Sequence, residues 1–166
     1  EALKNAKKII SNTKCDAVKL EGGKKIHKIV KLLTKNNIPV MGHLGLLPQS
    51  EKTFKFKGKT ISERNKILKD AELLESAGVF SIVLECVETS LSKMVTKRIN
   101  IPTIGIGASN NCDGQILVFD DLIGLNPIDV RFVKRYSNIR KEMTKAVASY
   151  ARDVRKNKFP LKKHSY

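Results

Sequence analysis

The sequence predicts an α/β fold built on a parallel sheet, and three observations carry that prediction. Short runs rich in Val and Ile recur along the chain, amphipathic helical patterns fall between them, and the runs are apolar nearly throughout instead of alternating. Strands that are hydrophobic on both faces need cover on both sides. The right-handed crossover rule then leaves two arrangements, an open doubly wound sheet or a closed barrel.

Each element can be justified in order. The opening "EALKNAKKIISNTKCDAVKLE" reads as a helix feeding a first strand at 16–21. A helical pattern over 24–35 sets Ile26, Ile29, Val30 and Leu33 on one side and turns Lys24, Lys28, Lys31 and Lys35 to water. "IPVMGHL", 38–44, is the second strand. The next helix, 61–77, opens with Thr60 followed three residues on by Glu63, a capping box. It stops at Gly78, which suits the left-handed position after a helix. "FSIVLEC" (80–86), a helix over 89–98, "IPTIGIGA" (101–108) and "QILVFDDL" (115–122) continue the alternation. Beyond "GLNPIDVRF" a long helix over 130–155 keeps Met143, Ala146, Val147, Tyr150, Ala151 and Val154 on one stripe, suited to packing on the outside.

The repeated openings "IPV" and "IPT" suggest equivalent units. Five strands stand against the eight of a closed (β/α)8 barrel. The chain is therefore expected to be the C-terminal part of one such barrel, a single domain over 1–166, with about three βα units absent before it.

Charge and cysteine usage narrow the partners. Lys plus Arg number 32 against 16 Asp plus Glu, which raises nucleic acid or an acidic membrane surface. The lysines, however, fall at helical spacing between apolar positions, and the chain has no Trp and few aromatics on which bases would stack. No run approaches the roughly 18 apolar residues of a membrane span. Neither nucleic acid nor membrane is an expected partner. Cys15, Cys86 and Cys112 are odd in number and far apart, so neither a disulfide framework nor a paired-thiol zinc site is predicted, and a reduced, cytoplasmic setting is expected.

Chemistry in both layouts gathers at the C-terminal ends of the strands, and polar residues stand there. Lys19 and Glu21 are two apart, so they share a face, either as a bare ion pair or as ligands, with Gly22 and Gly23 allowing close approach. His43 ends the second strand and Glu85 the third. A carboxylate in company as apolar as that of Glu85 has a raised pKa suited to proton transfer. "GIGASNNCDGQ" (105–115) has Asn110 where a dinucleotide loop needs its third Gly, and its glycines read as packing positions before a turn at Asp113 and Gly114. A phosphate-binding barrel enzyme and a basic nucleic-acid-binding module remain alternatives at this level.

Taken together, "VKLEGG", "PVMGHLGLLPQS", "LLESAGVFSIVLECV", "IPTIGIGASNNCDGQILVFDDLIGL", "RFVKRY" and "KHSY" run in order over nearly the whole chain and resemble the ketopantoate hydroxymethyltransferase (3-methyl-2-oxobutanoate hydroxymethyltransferase) family. The resemblance implies a (β/α)8 barrel of the phosphoenolpyruvate/pyruvate type. It implies a homo-oligomer that transfers a hydroxymethyl group from 5,10-methylenetetrahydrofolate to 2-oxoisovalerate, giving ketopantoate for pantothenate and coenzyme A. By the same resemblance Glu21 is a Mg²⁺ ligand, Lys19 and His43 bind substrate, and Glu85 accepts the C3 proton, with the cation drawing charge from the keto oxygen. Three departures go with it. Nothing before Glu21 supplies the family's two further metal-binding aspartates and its serine, so the chain alone is expected to be inactive. "PQSEKTFKFKGKT" is shorter than the family's Gly-Gly-Tyr-containing loop, and Ser109 stands at a usual Gly.

Overall fold

The apolar run Ile82–Leu84 lies in the central strand of a sheet, with neighbours on both edges and cover on both faces. The computed structural model describes residues 1–51 and 55–166. In chain order the elements are α1 (Ala2–Thr13), β1 (Val18–Glu21), α2 (His27–Thr34), β2 (Val40–Gly45), α3 (Ile61–Ser76), β3 (Ser81–Glu85), α4 (Thr89–Arg98), β4 (Thr103–Ile106), β5 (Gly114–Gln115), α5 (Phe119–Leu122) and α6 (Ile139–Arg155), followed by a 3₁₀ turn at Lys162–His164. They form two units, Glu1–Ile116 and Leu117–Tyr166.

In the first unit all five strands are parallel and stand in the order β1-β2-β3-β4-β5. The order runs one way without reversal, as the wall of a barrel does; a doubly wound sheet reverses at its switch point. Side chains alternate between the faces. Val40, Leu44, Ile82 and Leu84 join Val30 and Leu33 of α2, Ile67, Ala71 and Leu74 of α3, and Leu91 and Val95 of α4 in one core. Each fully buried Leu or Ile there contributes about 1.5–3 kcal/mol. Lys19, Glu21, Met41, His43, Ser81, Val83 and Glu85 occupy the opposite face.

The repeated prolines have equivalent places in the ladder. The Pro39 carbonyl accepts from Val18 N and the Pro102 carbonyl from Ile82 N, both at 3.0 Å. Proline lacks an N–H, so it is tolerated at the entry to a strand, where its carbonyl still bonds to the previous strand. Asp113 adds a clamp: its carboxylate accepts from Thr103 N (2.8 Å) and Thr103 Oγ1 (3.0 Å), and these bonds hold its pKa below the usual carboxylate range.

Several boundaries and faces differ from the sequence reading. The fifth strand is confined to Gly114–Gln115, because Phe119–Leu122 winds into a helical turn with Asp120 and Asp121 at its positive end, leaving Ile116 and Val118 exposed. The long helix starts at Ile139, not at 130, where the Asn138 side chain caps Lys141 N at 3.2 Å. No residue of this helix is buried, and Met143, Val147, Tyr150 and Val154 are exposed. Helix α2 begins at His27, not at 24, since the chain first turns through Gly23–Ile26 with Lys24 N bonded to Asp70 Oδ1 at 2.9 Å. Ile29 faces outward instead of joining the core. The predicted cap of α3 is present: Thr60 Oγ1 accepts from Glu63 N at 3.2 Å, and Gly78 takes φ +89° after the helix.

Two contacts outside the strands hold the rim. Asp70, buried on the core side of α3, packs so closely on Gly23 that a Cβ there would lie 2.0 Å from the Asp70 Cγ. Glu88 caps α4, accepting from Ser90 N (2.9 Å), Ser90 Oγ (2.6 Å), Leu91 N (3.0 Å) and Arg64 Nη1 (2.7 Å). The Ser90 hydroxyl and amide, with Arg64, bring its pKa down to about 2.

Gly23→Ala is expected to lower stability by about 1–3 kcal/mol through overpacking, read as an earlier urea midpoint; an unchanged midpoint contradicts the contact. Glu88→Ala is expected to cost about 1–2 kcal/mol. The Glu88 carboxylate has a depressed pKa in the folded state, so its contribution is complete above the ordinary 4.5 and drains as pH falls toward about 2. Denaturation curves of the two proteins should converge across that window.

Candidate active site

Register brings the sequence-predicted residues together. Across the parallel strands Glu21 pairs with His43 and His43 with Val83, while Gly45 pairs with Glu85 and Glu85 with Ile106. The two-residue period then projects Glu21, His43 and Glu85 from the same face at the C-terminal ends of β1, β2 and β3. His43 is 1% exposed and lies between the acids, with Nδ1 3.8 Å from Glu21 Oε1 and Nε2 3.3 Å from Glu85 Oε2. Neither contact is aligned as a hydrogen bond, so both ring nitrogens are buried without a partner among the described residues. An unsatisfied buried polar atom costs about 1–3 kcal/mol, and such a group is relieved by a polar ligand.

Electrostatics follow from that enclosure. Burial lowers the pKa of His43, the Lys19 charge lowers it further, and Glu21 opposes them, so the imidazole is held neutral. Burial raises the pKa of Glu85; Lys19 opposes that shift and Glu21 adds to it. Lys19 is exposed, and among the described residues it makes no ion pair with Glu21, so the bare-pair reading does not describe this geometry. Its cation nonetheless acts on both members of the buried group.

Backbone around Glu85 is fixed on two sides. Leu46 N donates to Glu85 O at 2.8 Å, and Gly45 takes φ +100° where a Cβ would meet that carbonyl at 2.1 Å. The next residue, Cys86, adopts φ +50°, which a non-glycine residue takes at a cost of about 1 kcal/mol. Its N–H donates to Ile106 O (2.9 Å) and its carbonyl accepts from Lys57 N (2.7 Å). The turn changes the phase of the strand, so Val87 joins the helix-facing core directly after Glu85 has faced the other way. Burial, with the Glu85 charge, pushes the Cys86 thiol up to about 11, which leaves it protonated and unreactive. Cys15, Cys86 and Cys112 are all free thiols.

The loop after β2 touches the site through one bond. Glu21 Oε2 accepts from Gln49 N at 3.1 Å, which folds the segment after β2 back toward β1. The shortened stretch expected around 48–60 includes 52–54, which lie outside the described residues. In the "GIGASNNCDGQ" loop Gly105 gives room to Gln115 and Cys112, and Ser109 Oγ accepts from Asn111 N (3.1 Å) and Asn111 Nδ2 (2.9 Å). The loop's own side chains therefore engage its amides, and Ser109 organises it.

Two residues of this rim lie beyond the sequence reading. Asp70 shares the apolar stripe of Ile67, Ala71 and Leu74, and an acid on such a stripe was the available signal. The left-handed turn at Cys86 has no signal in residue type, because turns of that kind favour Gly or Asn. No group of three or more His, Cys, Asp and Glu side chains forms a metal site among the described residues. No helix among them is long and apolar enough to cross a membrane.

Comparison with known proteins agrees with this architecture. The family model described as ketopantoate hydroxymethyltransferase matches residues 1–162. The chain is 69% identical over 166 residues to the 3-methyl-2-oxobutanoate hydroxymethyltransferase of Pelagibacter ubique, covering 100% of this chain and 65% of the relative. Proteins of the same name from Pyrobaculum islandicum and Clostridium botulinum are 50% and 47% identical, over 99% and 100% of this chain and 64% and 62% of theirs. The chain thus spans a little under two thirds of the length of these relatives. On the breadth of the family match and the identity to its members, the chain belongs to the ketopantoate hydroxymethyltransferase family.

Proposed function

We propose that the full-length protein transfers a hydroxymethyl group from 5,10-methylenetetrahydrofolate to 2-oxoisovalerate, giving ketopantoate for pantothenate and coenzyme A synthesis. The observation that carries this reading is the convergence of Glu21 and Glu85 on buried His43, at the C-terminal ends of neighbouring parallel strands in a chain of this family. The one-directional strand order supports a closed (β/α)8 barrel of the phosphoenolpyruvate/pyruvate type, of which residues 1–166 form the C-terminal part. The free thiols support a cytoplasmic setting, and the same reading makes the protein a homo-oligomer.

Glu85 acts as the base. Its carboxylate takes the C3 proton of the 2-oxo acid, and the resulting enolate forms a bond to the one-carbon unit of the folate; the C–N bonds to that carbon break, water supplies the hydroxyl oxygen, and tetrahydrofolate leaves. Burial raises its basicity toward that task. His43 lines the substrate pocket, where a polar substrate atom would satisfy a ring nitrogen that otherwise has no partner. Lys19 offsets the substrate carboxylate from the exposed side of the group.

Magnesium enters this reading through Glu21. Mg²⁺ takes oxygen ligands, and Glu21 is the carboxylate that the family resemblance assigns to it. One of its oxygens already accepts from Gln49 N. The described residues do not complete such a site. The 166-residue polypeptide on its own is expected to be inactive. Its calorimetric titration with Mg²⁺ is expected to show no tight binding, and a strong isotherm would contradict the single-ligand assignment.

Glu85→Gln tests the reaction directly. In the full-length protein the variant is expected to keep its affinity for 2-oxoisovalerate and to lose turnover by about 10²–10⁴-fold; near-normal transfer removes Glu85 from its role. The base works unprotonated, so kcat/KM of the parent should rise with pH through a limb placed above the ordinary 4.5, by the direction of the Glu85 shift. Glu85→Gln should lack that limb.

A further inference from the structure

The chain leaves β1 through two consecutive glycines. Gly22, at φ +120°, and Gly23 follow directly on Glu21, so local sequence imposes little direction on the backbone between that carboxylate and α2. A turn of this kind has to be fixed from outside. One fixing contact is on β2, where Gly22 N donates to the His43 carbonyl at 3.0 Å. The other is on α3, where Lys24 N donates to Asp70 Oδ1 at 2.9 Å. Ile26 N then closes on the Gly23 carbonyl at 3.0 Å, and the chain enters α2.

Asp70 is a poor choice for its own helix. It is 7% exposed and shares the buried stripe of α3 with Ile67, Ala71 and Leu74. Asp is a weak helix former, and burying a carboxylate costs free energy unless a hydrogen bond offsets it. An apolar side chain here would suit α3 better. The one hydrogen bond that the Asp70 side chain makes among the described residues is the bond to the Lys24 amide. Its second contact is steric: a Cβ on Gly23 would lie 2.0 Å from Asp70 Cγ, so the carboxylate occupies the space that a side chain at 23 would take. Both contacts serve the turn and neither serves the helix.

What the turn carries is Glu21. Its Oε1 lies 3.8 Å from His43 Nδ1, and its Oε2 accepts from Gln49 N at 3.1 Å. Without Asp70 the turn would hang from Gly22 N alone, with two glycines free to pivot beside Glu21. A backbone shift of about 1 Å would undo both relations of its carboxylate. We propose that Asp70 is a positioning residue for the transfer reaction: through Gly23 and the Lys24 amide it fixes the turn after β1 and so sets Glu21 against His43. The assignment rests on the transfer reading. Because the bond is to a backbone amide, the Lys24 side chain has no part in the hold.

The test uses the full-length protein, with steady-state transfer to 2-oxoisovalerate and amide hydrogen exchange as its two readouts. Asp70→Ala is expected to lose kcat/KM by about 10²-fold, the scale of a small misplacement, and to speed exchange over residues 22–24. Gly23→Ala displaces the carboxylate from the other side and should show the same two effects. An Asn oxygen can accept the same bond, so Asp70→Asn should restore both readouts. Lys24→Ala keeps the amide and should match the parent. Asp113→Ala removes a bond of the same kind, from Thr103 N, at the opposite end of the sheet, and should lower stability while sparing kcat/KM. Parent-like kcat/KM in Asp70→Ala, an equal loss in Asp113→Ala, or an Asp70→Asn protein as impaired as Asp70→Ala overturns the positioning role. Exchange needs no turnover. A parent without transfer activity would sink the transfer reading, whereas faster exchange in Asp70→Ala, reversed in Asp70→Asn, would still keep the hold on the turn.

Discussion

The register of three parallel strands is the constraint on which the rest depends. Glu21, His43 and Glu85 are far apart in sequence, and they meet because their strands pair in a register that sets all three on one face at one end. A slip of one residue in β2 would turn His43 into the helix-facing core and Gly42 or Leu44 into the site. The apolar packing of Val40, Leu44, Ile82 and Leu84 against α2, α3 and α4 is what prevents that slip. Here the hydrophobic core does its functional work indirectly, by fixing which side chains face the other way.

Once assembled, the polar group sets its own protonation. A fully buried imidazole between two carboxylates would be expected to take up a proton if solvation were the same as in water, yet burial and Lys19 oppose that charge. A neutral ring can donate one proton and accept one, which leaves Glu85 able to carry a negative charge without a fixed cationic partner. Its raised pKa has the same origin, desolvation first and the neighbouring Glu21 after it.

Much of this was legible from residue order. The alternation of strand and helix, the lysine-lined outer side of α2, the cap at Thr60 and the polar ends of the first three strands all follow from local pattern, and local pattern is decided by neighbours in the chain. What failed had several causes. The run 115–122 has the composition of a strand but becomes a helical turn after two residues, with its acids at the turn's positive end. Helix α2 starts late because Asp70, 46 residues away, captures Lys24 N. The apolar stripe expected on α6 stands exposed, because a stripe in the sequence does not say what covers it. The phase change at Cys86 was invisible for a different reason: it breaks the preference of its own residue type.

The burial of Cys86 has a chemical consequence. With its pKa near 11, the Cys86 sulfur exists almost wholly as thiol at neutral pH, the thiolate being on the order of one part in ten thousand. Peroxides and electrophiles attack the anion. A cysteine buried beside Glu85 is therefore shielded first by its burial and then by that negative charge, so oxidants would pass over a residue whose modification would disturb the turn after β3.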